Sequence, residues 1–316
     1  MNVSERGYEH ARWCVPELGK RMDPPVVLVR TLDAFSDGGD RMILVTGATG
    51  TIGRYLVRAL AEADVPFRAL VRDARKGKEL DCEFVVGDFD DPVSMESALK
   101  GVDRLLLNSG GALPVDGQQP MIRQQTGVID AARAVGVSWV VKISAWQPGR
   151  DAKLSVRAHW EIEQYLKASG LRWASLQPTG YMQNFLTGEG GFTHSGVLEG
   201  PYGAGRVSYI DAYDVAACAA VLLTDPLRDG ETYALTGPEA LTHEEIAAKL
   251  TIPFRDLTPQ EAAEGLQAQG LPGWFVDDLL LLYAEMAAGA MSEVTTVVRE
   301  LTGHAPRTFD EFLANG

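Results

Sequence analysis

Apolar and polar positions along the chain follow two alternating periods. Continuous apolar runs recur at Ile43-Leu44-Val45, Phe67-Arg68-Ala69-Leu70-Val71, Phe84-Val85-Val86, Leu105-Leu106-Leu107, Trp139-Val140-Val141-Lys142-Ile143 and Trp173-Ala174-Ser175-Leu176. Between them the apolar residues return at helical spacing. Ile52, Leu56, Leu60 and Ala63 share one helical face, and helices fit 93–100, 119–135 and 157–169. Unbroken apolar runs suit strands covered on both faces, and the amphipathic stretches suit the helices that cover them. The alternation predicts an α/β protein: a doubly wound parallel sheet joined by right-handed crossovers.

The pattern divides the chain into three parts. Residues 1–41 show no sustained periodicity and end in the polar stretch Ser36-Asp37-Gly38-Gly39-Asp40, so they form an N-terminal extension. Within it Val26-Val27-Leu28-Val29 could add an edge strand, and Met42 offers an internal start. Residues 42–180 carry the sheet. Residues 181–316 form a smaller substrate-binding region, opened by a loop stretch punctuated by Gly188, Gly190, Gly191, Gly196, Gly200, Gly203 and Gly205. Helices near 213–223, 242–250, 259–268 and 273–289, with short strands near 232–235 and 252–255, make this region a mixed cap.

Composition narrows the function. The chain has 316 residues, 46% of them hydrophobic, enough for one large domain or a domain with a smaller companion. No apolar run approaches the ~20 residues of a membrane span. The charged start, with Glu5, Arg6, Glu9, His10 and Arg12, is no secretory signal, so a cytoplasmic location is expected. A net charge of −14 disfavours nucleic acid and anionic membrane as partners. Cys14, Cys82 and Cys218 are too few and too scattered for a disulfide framework or a zinc site, and no metal is expected.

The candidate chemistry begins where the first strand ends, at Gly47-Ala48-Thr49-Gly50-Thr51-Ile52-Gly53. Glycines spaced in this way between a strand and a helix let a pyrophosphate approach bare backbone and meet the free N–H groups of the helix start. A dinucleotide is the implied ligand. Dinucleotide folds that choose NAD place an acidic residue at the end of the second strand; here that place is held by Arg72, whose guanidinium suits a 2′-phosphate. Arg54, Arg75 and Lys76 are near in sequence, and Asp73 could instead turn toward the ribose. NADP(H) is therefore favoured over NAD(H).

With these motifs in view, residues 42–314 resemble the NmrA-like atypical short-chain dehydrogenase/reductases, near the NAD(P)H-dependent quinone reductases and triphenylmethane reductases. The resemblance rests on Val45–Gly53, Val71-Arg72, Gly87-Asp88-Phe89, Ile143-Ser144-Ala145, His159–Glu163, Leu176-Gln177-Pro178, Tyr181–Phe185, Tyr209–Ala216 and Tyr233–Pro238. It implies a Rossmann fold in which Gly47, Thr49, Gly50, Thr51, Ile52 and Gly53 hold the cofactor with Arg72. It further implies Asp88 and Phe89 at the adenine, and Asn108, Ser109 and Ser144 along the cofactor.

One familiar element is missing. Typical short-chain dehydrogenases use a tyrosine with a lysine four residues on, and no tyrosine here has that partner. The helix that should carry the pair offers His159 and Glu163, four apart on one face. Ser144, His159 and Tyr181 are the catalytic candidates. Ser144, Tyr181 and Asn184 would shape the pocket, with Trp146 and Phe185 as stacking surfaces or core. A quinone or cationic dye accepts hydride at a low barrier, so orientation can supply most of the catalysis. The expected activity is hydride transfer to a quinone, enone or related conjugated aromatic carbonyl, by a chain open to homo-oligomerisation. Two other readings stand beside it: a non-catalytic NAD(P)-binding redox sensor or scaffold, and a lyase or isomerase on the same fold.

Overall fold

A computed structural model describes residues 41–110, 119–187, 193–194, 196–225 and 229–315. The extension up to residue 40, with Cys14 and the candidate edge strand expected at 26–29, and Gly188, Gly190 and Gly191 lie outside the described residues. The first half of the chain alternates strand and helix: β1 (Ile43–Val45), α1 (Thr51–Glu62), β2 (Phe67–Val71), α2 (Ala74–Lys78), β3 (Phe84–Val86), α3 (Pro92–Leu99), β4 (Arg104–Leu107), α4 (Pro120–Val135), β5 (Trp139–Ile143), α5 (Leu154–Ala168) and β6 (Trp173–Pro178). Next come α6 (Asn184–Thr187), β7 (Thr193–His194), β8 (Val197–Gly200), β9 (Arg206–Val207), α7 (Ala212–Thr224), β10 (Glu231–Leu235), β11 (Leu241–Thr242), α8 (His243–Leu250) and β12 (Phe254–Asp256). Helices α9 (Pro259–Ala268), α10 (Gly273–Ala287), α11 (Val297–Thr302) and α12 (Phe309–Asn315) complete the chain.

Seven strands form one parallel sheet in the order β10-β6-β5-β4-β1-β2-β3. Side-chain alternation splits its core in two. Ile43, Val45, Trp139, Val141 and Ile143 face α1 and α7, whereas Leu44, Leu105, Leu107 and Val140 face α3, α4 and α5. Because both faces are covered, β1, β4 and β5 are buried at every position. The order in which successive strands are added reverses around β1, which lies between β4 and β2, and this switch point is where such sheets bind ligands.

The expected division at residue 180 is crossed by this sheet. β10 pairs with β6 along Glu231–Leu235, and α7 packs on the α1 face, so the chain leaves the sheet for the cap, returns, and leaves again. The cap's strand expected near 252–255 is β12, which begins at Phe254 after Pro253 and pairs in parallel with β8. Capping boxes at Thr242/Glu245 and Thr258/Glu261 start α8 and α9.

A third core holds the cap together, built from Met182, Phe185, Leu198, Tyr202, Tyr209, Tyr283, Phe309 and Phe312. His243 is enclosed in it, stacked on Tyr202 at 3.7 Å, with Nε2 2.9 Å from the Tyr209 hydroxyl. Burial pulls its pKa from 6.5 down to about 3. An unfolded chain regains an ordinary imidazole that takes a proton below about pH 6.5. Stability from the neutral ring is therefore present above that pH and lost as pH falls toward 3. In His243→Phe this dependence disappears, so the gap in thermal unfolding midpoint between wild type and variant should narrow from pH 8 to pH 5. An identical gap at both pH values would rule out the titration.

Candidate nucleotide and reaction site

The site begins where β1 is stitched to β4. Thr46 Oγ1 lies 2.7 Å from the Leu106 carbonyl and accepts from the Asn108 N–H at 2.8 Å. The chain then turns at Gly47, which has φ +64°, a conformation that glycine takes without strain. A Cβ there would stand 2.9 Å from Asn108 Nδ2, and a Cβ on Gly53 would stand 2.1 Å from the Gly47 carbonyl oxygen. These clearances let α1 start directly against the end of β1 with bare backbone facing out.

Gly50 is the N-cap of α1 and provides no side-chain cap, and the first turn holds no acidic residue. The N–H groups of Thr51, Ile52 and Gly53 have no acceptor among the described residues. Thr49 gives its carbonyl to Arg54 Nε at 3.0 Å. Three unclaimed donors at the positive end of a helix, in a cradle that a Cβ at Gly47 or Gly53 would crowd, fit the pyrophosphate of a dinucleotide.

Arg72 directly follows β2 and is exposed. Its neighbour Asp73 is committed elsewhere: the carboxylate caps α2 through the Arg75 N–H and pairs with the Arg75 guanidinium at 2.8 Å. Those bonds hold it below the usual carboxylate range. After β3, Asp88 Oδ1 accepts from the Asp90 N–H at 2.9 Å, and Phe89 packs in part against the core beneath α3.

Beyond the cradle, a chain of polar contacts runs beneath the ends of β4 and β5. Gln125 Nε2 on α4 donates to Ser109 Oγ at 2.8 Å, and Gln125 Oε1 accepts from Lys142 Nζ at 3.1 Å. Lys142, fully buried on β5, also reaches the Ile143 carbonyl at 3.0 Å and His159 Nδ1 on α5 at 3.1 Å. Burial pulls the Lys142 pKa down to about 7, opposed by the field of Glu163. Burial and the Lys142 charge keep His159 well below the ordinary imidazole range.

His159 therefore meets Lys142 rather than Glu163, the partner that helical spacing suggested. Glu163 turns the other way and accepts from Ser175 Oγ at 2.6 Å and Gln177 Nε2 at 3.0 Å, with Lys167 at 3.8 Å. Ser144 directly follows β5, tied to β6 by its N–H to the Leu176 carbonyl at 2.7 Å. Its Oγ is buried with no hydrogen-bond partner among the described residues, as is Trp146 Nε1. Buried polar atoms are ordinarily paired, so two orphans at one strand end mark a place for a ligand.

Tyr181 forms a parallel bridge with Ile210, and burial raises its phenol pKa, so the hydroxyl keeps its proton. Asn184 starts α6, partly buried. Phe185 belongs to the cap core: it is 3% exposed and stands edge-on to Tyr209 at 4.8 Å and to Phe309 at 5.6 Å. Its ring offers no face for a substrate, so the stacking role is dropped. Reasoning from the sequence missed Lys142 and Gln125. The signal for Lys142 was a single charged residue inside a run predicted to be buried on both faces. Among the described residues no cluster of His, Cys, Asp or Glu is arranged to hold a metal, and no helix is long and apolar enough to cross a membrane.

The switch-point cradle, the reversed sheet order and the glycine clearances define a protein of the Rossmann-type dinucleotide-binding class. Residues 39–251 match the model of the NmrA-like family, and the chain belongs to that family. It is 35% identical over 282 residues to an NAD(P)H azoreductase of Xenophilus azovorans, covering 86% of this chain and 96% of that protein. An NADPH-dependent quinone oxidoreductase from Escherichia coli, solved with NADPH, superposes with a TM-score of 0.75 at 29% identity, covering 86% of this chain and 99% of that one. A Citrobacter sp. triphenylmethane reductase solved with NADP(H) shares the fold at a TM-score of 0.73 and 24% identity, covering 87% of this chain and all (100%) of that one.

Proposed function

We propose that the chain is an NADPH-dependent reductase that passes hydride to a quinone, enone or related conjugated aromatic acceptor without a tyrosine–lysine pair. The observation that carries this reading is the juxtaposition, at the ends of β1, β4 and β5, of a bare-backbone cradle with the unpartnered Ser144 Oγ and Trp146 Nε1. The cradle residues Gly47, Gly50 and Gly53, with Thr49, Thr51 and Ile52, would hold the pyrophosphate. Asp88 and Phe89 would border the adenine, and Asn108 and Ser109 the nicotinamide ribose. Bound there, reduced nicotinamide supplies a hydride. Ser144 then orients the acceptor oxygen, Trp146 donates from the side, and Tyr181 and Asn184 close the pocket. The names of the azoreductase and quinone oxidoreductase relatives support an acceptor that is conjugated and planar. A panel of quinones, enones and azo dyes tests the reading: NADPH bound without consumption by any of them would sink it.

Arg72 underlies the choice of NADPH, since the competing carboxylate of Asp73 is spent on α2 and Arg75. Arg72→Glu removes the charged hydrogen bonds to a 2′-phosphate, worth about 1.5–3 kcal/mol, and adds repulsion. The ratio of kcat/KM for NADPH over NADH should fall about ten- to a hundredfold. An unchanged ratio would place the phosphate elsewhere.

A further inference from the structure

Lys142 has an unusual complement of neighbours for a lysine on an interior strand of a sheet. Its Nζ lies 3.0–3.1 Å from two acceptors, the Gln125 amide oxygen and the Ile143 carbonyl, and from His159 Nδ1, which accepts or donates according to its tautomer. An ammonium has three N–H bonds and no lone pair, so the charged form fills all three contacts when Nδ1 is bare. A lysine that donates to Nδ1 fixes the imidazole as the Nε2–H tautomer. Nε2 lies on the opposite edge of the ring from Nδ1. Lys142 is fully enclosed, whereas His159 is only partly buried, so of the two His159 is the one with some solvent exposure.

We propose that Lys142 and His159 form a two-member proton relay that delivers one proton to the acceptor after it has taken hydride. The proposal rests on the reductase reading above. When hydride adds to a quinone, the acceptor oxygen is left with a negative charge. His159 gives its Nε2 proton to that oxygen while Nδ1 takes a proton from Lys142. The acceptor becomes a neutral hydroxyl, His159 ends as the Nδ1–H tautomer, and Lys142 ends as a neutral amine whose lone pair accepts from Nδ1–H. The pair is reset when the Nδ1 proton passes back to the Lys142 lone pair as Nε2 takes a proton from water. His159 never needs to hold two protons, in keeping with the burial that disfavours its charged form. Lys142 touches no reacting atom and acts through His159.

The surroundings suit a lysine that gives up its proton near neutrality. The group facing it from α4 is the neutral Gln125, and those from α5 are His159 and Glu163. Glu163 sustains the charged state through its field, but its oxygens are held by Ser175, Gln177 and Lys167, so it does not take the Lys142 proton in a direct ion pair. Burial against that field leaves the lysine titrating at about pH 7.

Three measurements test the relay. In the wild-type protein without nucleotide, ¹⁵N NMR of the His159 ring, assigned by its loss in His159→Gln, should show a protonated Nε2 and a bare Nδ1 at pH 6. The Nδ1 signal should shift as Lys142 titrates near pH 7. An Nδ1–H tautomer throughout pH 5–9 would overturn the proposal. Second, wild-type turnover is compared for a para-benzoquinone, which needs a proton, and a cationic triphenylmethane dye, which hydride alone converts to its neutral leuco form. D2O should slow the quinone reaction and spare the dye; equal isotope effects count against the relay. Third, Lys142→Met should lower the quinone-to-dye rate ratio about a hundredfold, within the usual range for general acid catalysis, and abolish the break near pH 7 in quinone kcat/KM. An unchanged ratio in folded, NADPH-binding Lys142→Met would also overturn it. Failure of the wild type to oxidise NADPH with either acceptor overturns the reductase reading instead, and the ring tautomer then decides the relay alone.

Discussion

Gly53→Ala is expected to lose NADPH affinity by more than about a hundredfold and to fold less stably. The methyl group would stand 2.1 Å from the Gly47 carbonyl oxygen and 2.7 Å from the Ala48 Cα, both backbone atoms that no rotamer change can move aside. Either α1 shifts away from β1 or the turn opens, and overpacking of this kind costs about 1–3 kcal/mol. The same shift misaims the N–H groups of Thr51, Ile52 and residue 53. Losing two such charge-assisted bonds, at about 1.5–3 kcal/mol each, accounts for the affinity. Gly50→Ala is the control. Its Cβ would meet the Gly47 carbonyl at 3.3 Å, and φ −81° suits any residue, so the fold should stay near wild type. Thermal unfolding and a fluorescence titration with NADPH read both variants. Wild-type affinity in Gly53→Ala would mean that the nucleotide does not use this turn.

The glycine turn was legible in the sequence because its cause is local: a strand, a turn and a helix start within a dozen residues. The strands at 43–45, 105–107 and 139–143 were legible because burial on both faces writes an unbroken apolar run. What could not be read depended on distant partners. Glu231–Leu235 reads as a short strand anywhere; only its pairing with β6 brings it into the main sheet, past the expected boundary at 180. Lys142 was absorbed into its apolar run because its acceptors come from α4 and α5, 17 residues away on either side. Helical spacing offered Glu163 to His159, but Ser175 and Gln177, brought alongside by β6, satisfy that carboxylate first. Phe185 lies beside Asn184 in sequence, yet the cap core takes it through Tyr209 and Phe309.

Arg307→Ala is expected to destabilise the fold by about 3–5 kcal/mol, the usual cost of stripping a buried carboxylate of its partner. Asp211 is 1% exposed and Asp214 4% exposed, both at the start of α7. Arg307 Nη1 lies 3.3 Å from Asp211, its backbone N–H donates to Asp214 at 2.9 Å, and its guanidinium sits 3.4 Å from the centre of the Tyr213 ring. A double variant, Arg307→Met with Asp211→Asn, removes both charges and should lose less than the single one.

The pH dependence follows from Asp214. Burial, with Asp211 nearby, raises its carboxyl from 3.8 to about 7 against the pull of Arg307. A raised folded pKa contributes stability that is complete below the ordinary value and is lost as pH rises through about 7. Without the Arg307 charge that rise steepens, so the variant's deficit in urea unfolding should be larger at pH 8 than at pH 5.5. Equal deficits, or a loss under about 1 kcal/mol, would show that the pair is screened and the argument fails. The damage should also reach the site. Gln183 Nε2 bonds Asp211 at 2.6 Å, and Ile210, one residue earlier, bridges Tyr181. Loosening Asp211 therefore loosens the wall that carries Tyr181 and Asn184, while the glycine cradle on β1 and α1 keeps its own supports. At temperatures where Arg307→Ala remains folded, KM for the acceptor should rise severalfold with little change in NADPH affinity.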